Sequence, residues 1–445
     1  MSLGRPVWNL LIVGLGTLVV PLDSAVNVAF PAIVERFGLD IPAIQWLVIS
    51  YVLTHAALML ACGRLGDLFG HRRIFLIGAA TSAAAFAACT LAPGYLWLLA
   101  ARMLQGAGAA LILSCGPALA TSLFPETRRA RVLGLYTMMF SIGGAIGPVL
   151  AGALLARFGW SGVFAFRIPI ALLALVCGLL LPRSRPSPGS GAFDGRGAVL
   201  LVVALSAGLL GLQRLRGLPE TWPAALALAA LSVLAGHFFL RRQRSAAAPL
   251  LAPHHFRNAW FRRINAANML GTLAGFSVLL LVPFFLARAT TLSVGAAGLL
   301  LAVAPAGTAL ASPLAGWLAG PLGPRRLAVF GLLAAAAGLL GIGTAGMPAS
   351  IAWLAAAMLV QGAGFGLFQV AYFDIVTATL PRSERGIAGS LGMLTRTVGM
   401  VSGATLLMLL LHLMGGDADF PAAFSRTVLV AACIPLVAAI ALWQR

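Results

Sequence analysis

Lysine is absent from the 445 residues, and charge of any kind is scarce, at 9% of the chain. A phosphate-binding loop of the form GxxxxGK[ST] needs its lysine on the nucleotide's phosphates, so the chain carries no ATP motor of its own. Schiff-base catalysis needs a lysine amine and falls with it. Acids are few, 11 Asp and Glu together, and the five cysteines (62, 89, 115, 177, 433) are scattered through apolar runs with no CxxC. That spacing offers neither a disulfide framework nor a thiolate metal site. His254 and His255 stand without further ligands beside them. The expectation is a protein that is not an enzyme and holds no metal and no cofactor.

What is abundant is apolar surface. Hydrophobic residues make up 60% of the chain, more than a soluble protein can hide. Runs of about 20 apolar residues, the length that crosses a bilayer as a helix, recur fourteen times, near 8–30, 44–63, 74–93, 97–122, 131–155, 160–181, 197–213, 222–240, 262–286, 294–319, 326–346, 351–378, 386–412 and 424–443. The first run ends in an acid-bearing segment rather than a small-residue cleavage site, so no cleavable signal peptide is expected. The net charge of +19 does not point to nucleic acid, because the arginines lie in short clusters between apolar runs. With the amino terminus inside, 21 of the 30 arginines fall on inner segments. This is the positive-inside bias, and it predicts that both termini are cytoplasmic. The nine tryptophans fall near the ends of the runs, where indole favours the membrane interface.

The chain is internally duplicated. Met103-Leu104-Gln105-Gly106-Ala107-Gly108 recurs as Leu359-Val360-Gln361-Gly362-Ala363-Gly364, and the same offset pairs Gly143 with Gly399 and Gly147 with Gly403. Gly63, Gly70, Arg72 and Arg73 recur as Gly316, Gly323, Arg325 and Arg326, with Gly320 in the place of Asp67. Two related six-span halves follow, the layout of parallel-repeat transporters. Spans 7 and 8 lie outside the repeat, after the linker-like stretch 182–191. The predicted division is an N-terminal bundle (1–182), a linker with two inserted spans (183–257) and a C-terminal bundle (258–445).

Between spans 2 and 3 lies Gly63-Arg64-Leu65-Gly66-Asp67-Leu68-Phe69-Gly70-His71-Arg72-Arg73. It resembles the signature loop of the major facilitator superfamily, with His71 where the family usually has arginine. The two inserted spans, with Asp194-Gly195-Arg196-Gly197 opening them, resemble the fourteen-span drug:proton antiporter branch. The resemblance implies an all-α membrane protein of fourteen helices arranged 6+2+6, working by alternating access.

Several residues are then singled out. Asp23, within Leu22-Asp23-Ser24-Ala25-Val26-Asn27, is similar to the branch's first-span motif, and an acid inside a span is a functional candidate by default. Arg102 opens Arg102-Met103-Leu104-Gln105-Gly106, which resembles the fourth-span motif of proton-coupled members. At 1.5 Å rise per residue, Asp23 lies about 10 Å and Arg102 about 7–8 Å below the outer ends of their spans. The two are expected to interact, protonation of Asp23 freeing Arg102. The resemblance makes the loop with Gly63, Asp67, Gly70, His71 and Arg72 an inner latch, with Asp67 capping a helix of the other half. His71 or Arg72 is expected to pair with Glu126, and His71 would make that contact sensitive to pH. Gly143, Gly147, Pro148 and Gly152 of span 5 are similar to the antiporter motif that marks exporters. Asp374 and Arg396 face each other across a hairpin and are expected to pair, either structurally or in coupling; Arg396 matches a basic position common in the branch. Arg167 stands where the branch commonly has asparagine; it either tunes the cavity toward anionic substrates or, as is the expectation, reaches the outer interface. His55 sits mid-span, as a core histidine or a cavity residue.

The function implied is export of small, amphipathic, drug-like or antibiotic molecules through the bacterial-type inner membrane, with the proton gradient as energy source. Export of a lipid, siderophore or endogenous metabolite, and a non-transporting sensor on the same fold, are the alternatives. The partners are the small-molecule substrate, protons and membrane lipid, without nucleic acid, and the working unit is expected to be a monomer.

Overall fold

A computed structural model describes residues 4–39, 41–183, 193–214, 221–246, 249–289, 292, 294–345, 350–381, 384–415 and 419–443; most of the predicted linker falls outside them. The chain order is α1 (Gly4–Val19), a 3-10 turn (Pro21–Ser24), α2 (Ala25–Val28), α3 (Phe30–Phe37), α4 (Ile41–Phe69), α5 (His71–Thr90), α6 (Tyr95–Ser122), α7 (Arg129–Ala165), α8 (Arg167–Gly178), α9 (Gly195–Arg214) and α10 (Trp222–Ser245). The second half continues with α11 (Ala259–Ala289), α12 (Val294–Leu301), α13 (Val303–Leu322), α14 (Pro324–Gly343), α15 (Ile351–Thr379), α16 (Arg385–Leu413) and α17 (Phe420–Trp443). No strand occurs among the described residues.

Thirteen described stretches are long and apolar enough to cross a membrane, and one of them, Glu126–Gly178, is 53 residues long. That stretch turns back at Gly159, whose φ of 66° and ψ of −166° break the helix. Only glycine adopts such a backbone at little cost. Both its ends lie together: Arg385 at the start of α16 reaches Glu126, the next residue's amide meets Asp67, and Arg72 nearby donates to the Gly178 and Leu179 carbonyls at 3.3 and 2.7 Å. Among the described residues this gives fourteen helical stretches long enough to cross a bilayer, those of a multi-pass membrane protein. Trp8, Trp97, Trp222, Trp317, Trp353 and Trp443 are exposed at helix ends, where an interfacial ring is expected.

Helix packing in lipid relies on small residues that let backbones close up, and the repeat shows it twice. A Cβ on Gly106 would meet the Tyr51 carbonyl at 2.5 Å, and one on its partner Gly362 would run into the Ala304 carbonyl. Arg72 and Arg325 also act alike. Each caps the C-terminal carbonyls of the last helix in its half, Arg325 donating to Leu442 and Trp443 at 3.2 and 3.3 Å; a cation is favoured at that end of a helix dipole. The inserted pair α9–α10 is pinned at one end by Asp194, which accepts from Gly197 N, Arg242 Nε and Gln243 Nε2, each at 3.1 Å. It packs on the first half through α4 and on the second through α16.

Candidate functional site

Span 1 is not a continuous helix. It stops at Val19, turns through Pro21–Ser24 and restarts at Ala25. Pro21 has no amide hydrogen to continue the helical ladder, and Asp23 N instead bonds the Val20 carbonyl at 3.1 Å. Asp23 thus sits in the break. The glycines of α7 seat this break: a Cβ on Gly143 would lie 2.5 Å from the Leu18 carbonyl and 2.8 Å from Pro21, and one on Gly147 would overlap the Ser24 hydroxyl. Gly152 of the same motif meets nothing within 4 Å, and Pro148 is half-buried on the helix surface. In the second half, Gly399 and Gly403 close in the same way on the Met269 and Leu273 carbonyls of α11.

The structure brings Asp23 and Arg102 together and adds a second cation. Arg102 Nη1 and Nη2 donate to Asp23 Oδ1 and Oδ2 at 2.5 and 2.9 Å, a bidentate pair. Arg167 Nη1 donates to Oδ1 at 2.8 Å, and Gln105 Nε2 donates to the same oxygen at 2.8 Å. Both arginine side chains are sealed (1% and 0% exposed), whereas the carboxylate keeps 15% of its surface open. Arg102 is further fixed by the Leu47 carbonyl at 3.0 Å and the Tyr51 ring at 4.5 Å. Arg167 rests on Phe86 at 4.5 Å and Phe164 at 5.3 Å, and its Nη2 is buried without a partner among the described residues. Two guanidiniums thus face one carboxylate, and the cluster carries excess positive charge when Asp23 is ionised.

Arg167 departs from the expectation that it snorkels to the interface. It opens α8 just after the Gly159 reversal and points into the bundle. The sequence signal was its change from the branch's asparagine; helix rotation, which decides its direction, has no mark in an all-apolar helix. His55 is buried and stacks on Tyr51 with centroids 6.0 Å apart, its Nε2 unpartnered among the described residues.

A second cluster lies at the end of the bundle that carries the arginine-rich loops, and it joins the halves. Gly386 N, in the first turn of α16, donates to Asp67 Oδ1 at 2.9 Å. Asp67 is 1% exposed, and a Cβ on Gly63 would strike Ser390. His71 Nε2 is 3.4 Å from Asp67 Oδ1. Glu126, expected to pair with His71 or Arg72, is instead held by Arg129 at 3.0 Å and by Arg385, while Arg72 turns to the α8 carbonyls. The α8 terminus lies within Arg72's reach and accepts from its Nε and Nη2. Gly70 (φ 91°) makes the tight link between α4 and α5.

The expected Asp374–Arg396 pair does not form either. Asp374 accepts from Arg129 Nε at 2.7 Å, across the seam between halves. Arg396 lies over the rings of Phe140 at 4.5 Å and Phe365 at 5.7 Å. Hairpin neighbours need not pair, because the two side chains leave their helices on different faces; a partner from the other half is nearer to Asp374.

The comparisons agree with this architecture. A family model described as "Major Facilitator Superfamily" matches residues 13–254 and 264–445. The chain is 32% identical over 441 residues to "Uncharacterized transporter YebQ" of Escherichia coli (strain K12), covering 96% of this chain and 94% of that protein. It is 30% identical over 423 residues to "Tetracenomycin C resistance and export protein" of Streptomyces glaucescens, covering 93% and 77%. The solved human organic anion transporter MFSD10 superposes with a TM-score of 0.72 over 99% of this chain and 100% of its own, at 15% identity, which speaks to the fold alone. On the matched span, the duplicated halves and the shared layout, this chain is a transporter that belongs to the major facilitator superfamily.

Proposed function

We propose that the protein exports small amphipathic molecules across the bacterial-type inner membrane, with both termini in the cytoplasm, in exchange for entering protons. It works as a monomer without a cofactor, and the bundles 1–182 and 258–445 rock about the seam between them, with 183–257 as the inserted linker and helix pair. The observation that carries the reading is the carboxylate of Asp23, partly open yet bound by two buried guanidiniums in a helix break. Protonating it removes the counter-ion of Arg102 and Arg167 at one stroke, so proton load and helix packing are linked. The Asp67, Glu126 and Asp374 contacts hold the halves together at the opposite end, so a proton reaches Asp23 from the outer side in this state. The name of the Streptomyces relative, a resistance and export protein, supports the direction and the drug-like substrate class.

The reading is tested in inside-out vesicles energised with an acid interior, using a panel of fluorescent amphipathic compounds. At least one compound accumulates, and the accumulation collapses when nigericin dissipates the pH gradient. Accumulation that survives collapse of the gradient contradicts proton exchange.

A further inference from the structure

We propose that Arg396 is the seat for an acidic group of the transported molecule, so that the substrates are amphipathic anions: an aromatic or alicyclic body bearing a carboxylate, sulfonate or acidic phenol. This deepens, and rests on, the export reading above.

Arg396 stands eleven residues into α16, about 16 Å from the helix start at 1.5 Å per residue. That is about half the thickness of a bilayer's hydrocarbon core. A full charge at this depth is expensive and ordinarily has a partner. Arg102 and Arg167 have Asp23, and Arg129 has Asp374 and Glu126. Among the described residues Arg396 has no carboxylate and makes no hydrogen bond; it has two aromatic faces and, within electrostatic range, the hydroxyl of Tyr136. Those faces come from opposite halves, Phe140 from α7 and Phe365 from α15. The guanidinium therefore lies between the bundles, where alternating access must pass its cargo, and not against lipid. All three side chains remain partly exposed.

The chemistry of such a site is selective. Five N–H donors in a planar fork match a carboxylate or sulfonate bidentately. Stacked rings above the guanidinium hold it rigid and offer an apolar wall to the body of the ligand. The Asp23 cluster cannot compensate a cationic cargo, because it already carries two positive charges against one negative. Export of an anion against an entering proton also moves charge in the direction favoured by an inside-negative potential.

The test uses three probes with one aromatic body: 1-pyrenebutyrate, 1-pyrenebutanol and 1-pyrenebutyltrimethylammonium. Their binding to the purified full-length protein is titrated in detergent, with no gradient, so a failure of proton exchange leaves this readout intact. The wild type is expected to bind the anion at least about tenfold more tightly than the alcohol, and the cation most weakly. Arg396→Gln is expected to bring the anion-to-alcohol ratio to about one, whereas Arg396→Lys keeps part of it. A wild type that binds the cation as tightly as the anion overturns the proposal. So does an Arg396→Gln protein that keeps the anion preference.

Discussion

Asp23, Arg102 and Arg167 form an unbalanced trio, and each is expected to be missed differently. Asparagine at 23 leaves two buried guanidiniums without a counter-ion. Removing one partner of a buried pair costs about 3–5 kcal/mol, so Asp23→Asn is expected to lower the thermal midpoint in detergent more than any other single change in the cluster. Arg102→Gln is intermediate, because Arg167 still holds the carboxylate. Arg167→Gln is mildest, since it leaves one cation facing one anion and removes an unpartnered Nη2. The double variant Asp23→Asn/Arg167→Gln is expected to recover part of the Asp23→Asn loss, measured as a positive coupling in a double-mutant cycle on the unfolding midpoint. Strict additivity would mean that Arg167 answers to something other than Asp23. Depth arithmetic from helical rise was enough to set Asp23 and Arg102 level. Nothing in the letters around Arg167 distinguished an inward side chain from a snorkelling one.

At the scale of elements, the broken first span and its glycine bed are the working unit. A methyl on Gly147 collides with Ser24, whereas a methyl on Gly152 enters open space. Gly147→Ala is therefore expected to lower stability by about 1–3 kcal/mol and to disturb transport through the displaced Asp23 segment. Gly152→Ala is expected to leave both unchanged. Melting curves and vesicle transport on the two variants check this, and equal behaviour would deny that the motif acts by seating the break. The spacing of the motif was readable in the sequence, but its task was not. The apolar run from 8 to 30 looked uninterrupted, and the effect of Pro21 depended on which neighbour accepted the broken turn. The same limit hid the Gly159 reversal, where a loop was expected but not a break at one non-helical residue that feeds Arg167 into the core.

At the scale of the molecule, the arginine-rich end is closed by Asp67 on the α16 amide, Glu126 on Arg385 and Asp374 on Arg129. Each contact joins one half to the other, so weakening them favours opening at that end. The native thiols report it: Cys62 and Cys115 are buried, Cys433 is exposed, and a Cβ on Gly66 of the loop would come within 2.6 Å of Cys115 Sγ. Asp67→Ala/Glu126→Gln is expected to raise the rate of maleimide labelling at Cys115 at least about tenfold over wild type, read by mass spectrometry. An unchanged rate would mean that these contacts do not hold the halves. The duplication, the fourteen passes and the loop that caps a foreign helix were all legible, because they rest on long runs and offsets. The cross-half partners of Glu126 and Asp374 were not, because which faces of two bundles meet is a property of their docking and leaves no periodic trace.

The most direct measurement compares wild type and Asp23→Asn in proteoliposomes, using one transported compound and two protocols. Counterflow at equal pH asks only whether the bundles still rock and carry. Uphill accumulation under an imposed pH gradient asks whether protons drive it. Asp23→Asn is predicted to retain counterflow and to lose uphill accumulation. Uphill accumulation at the wild-type rate in Asp23→Asn would contradict the assignment of proton exchange to this carboxylate.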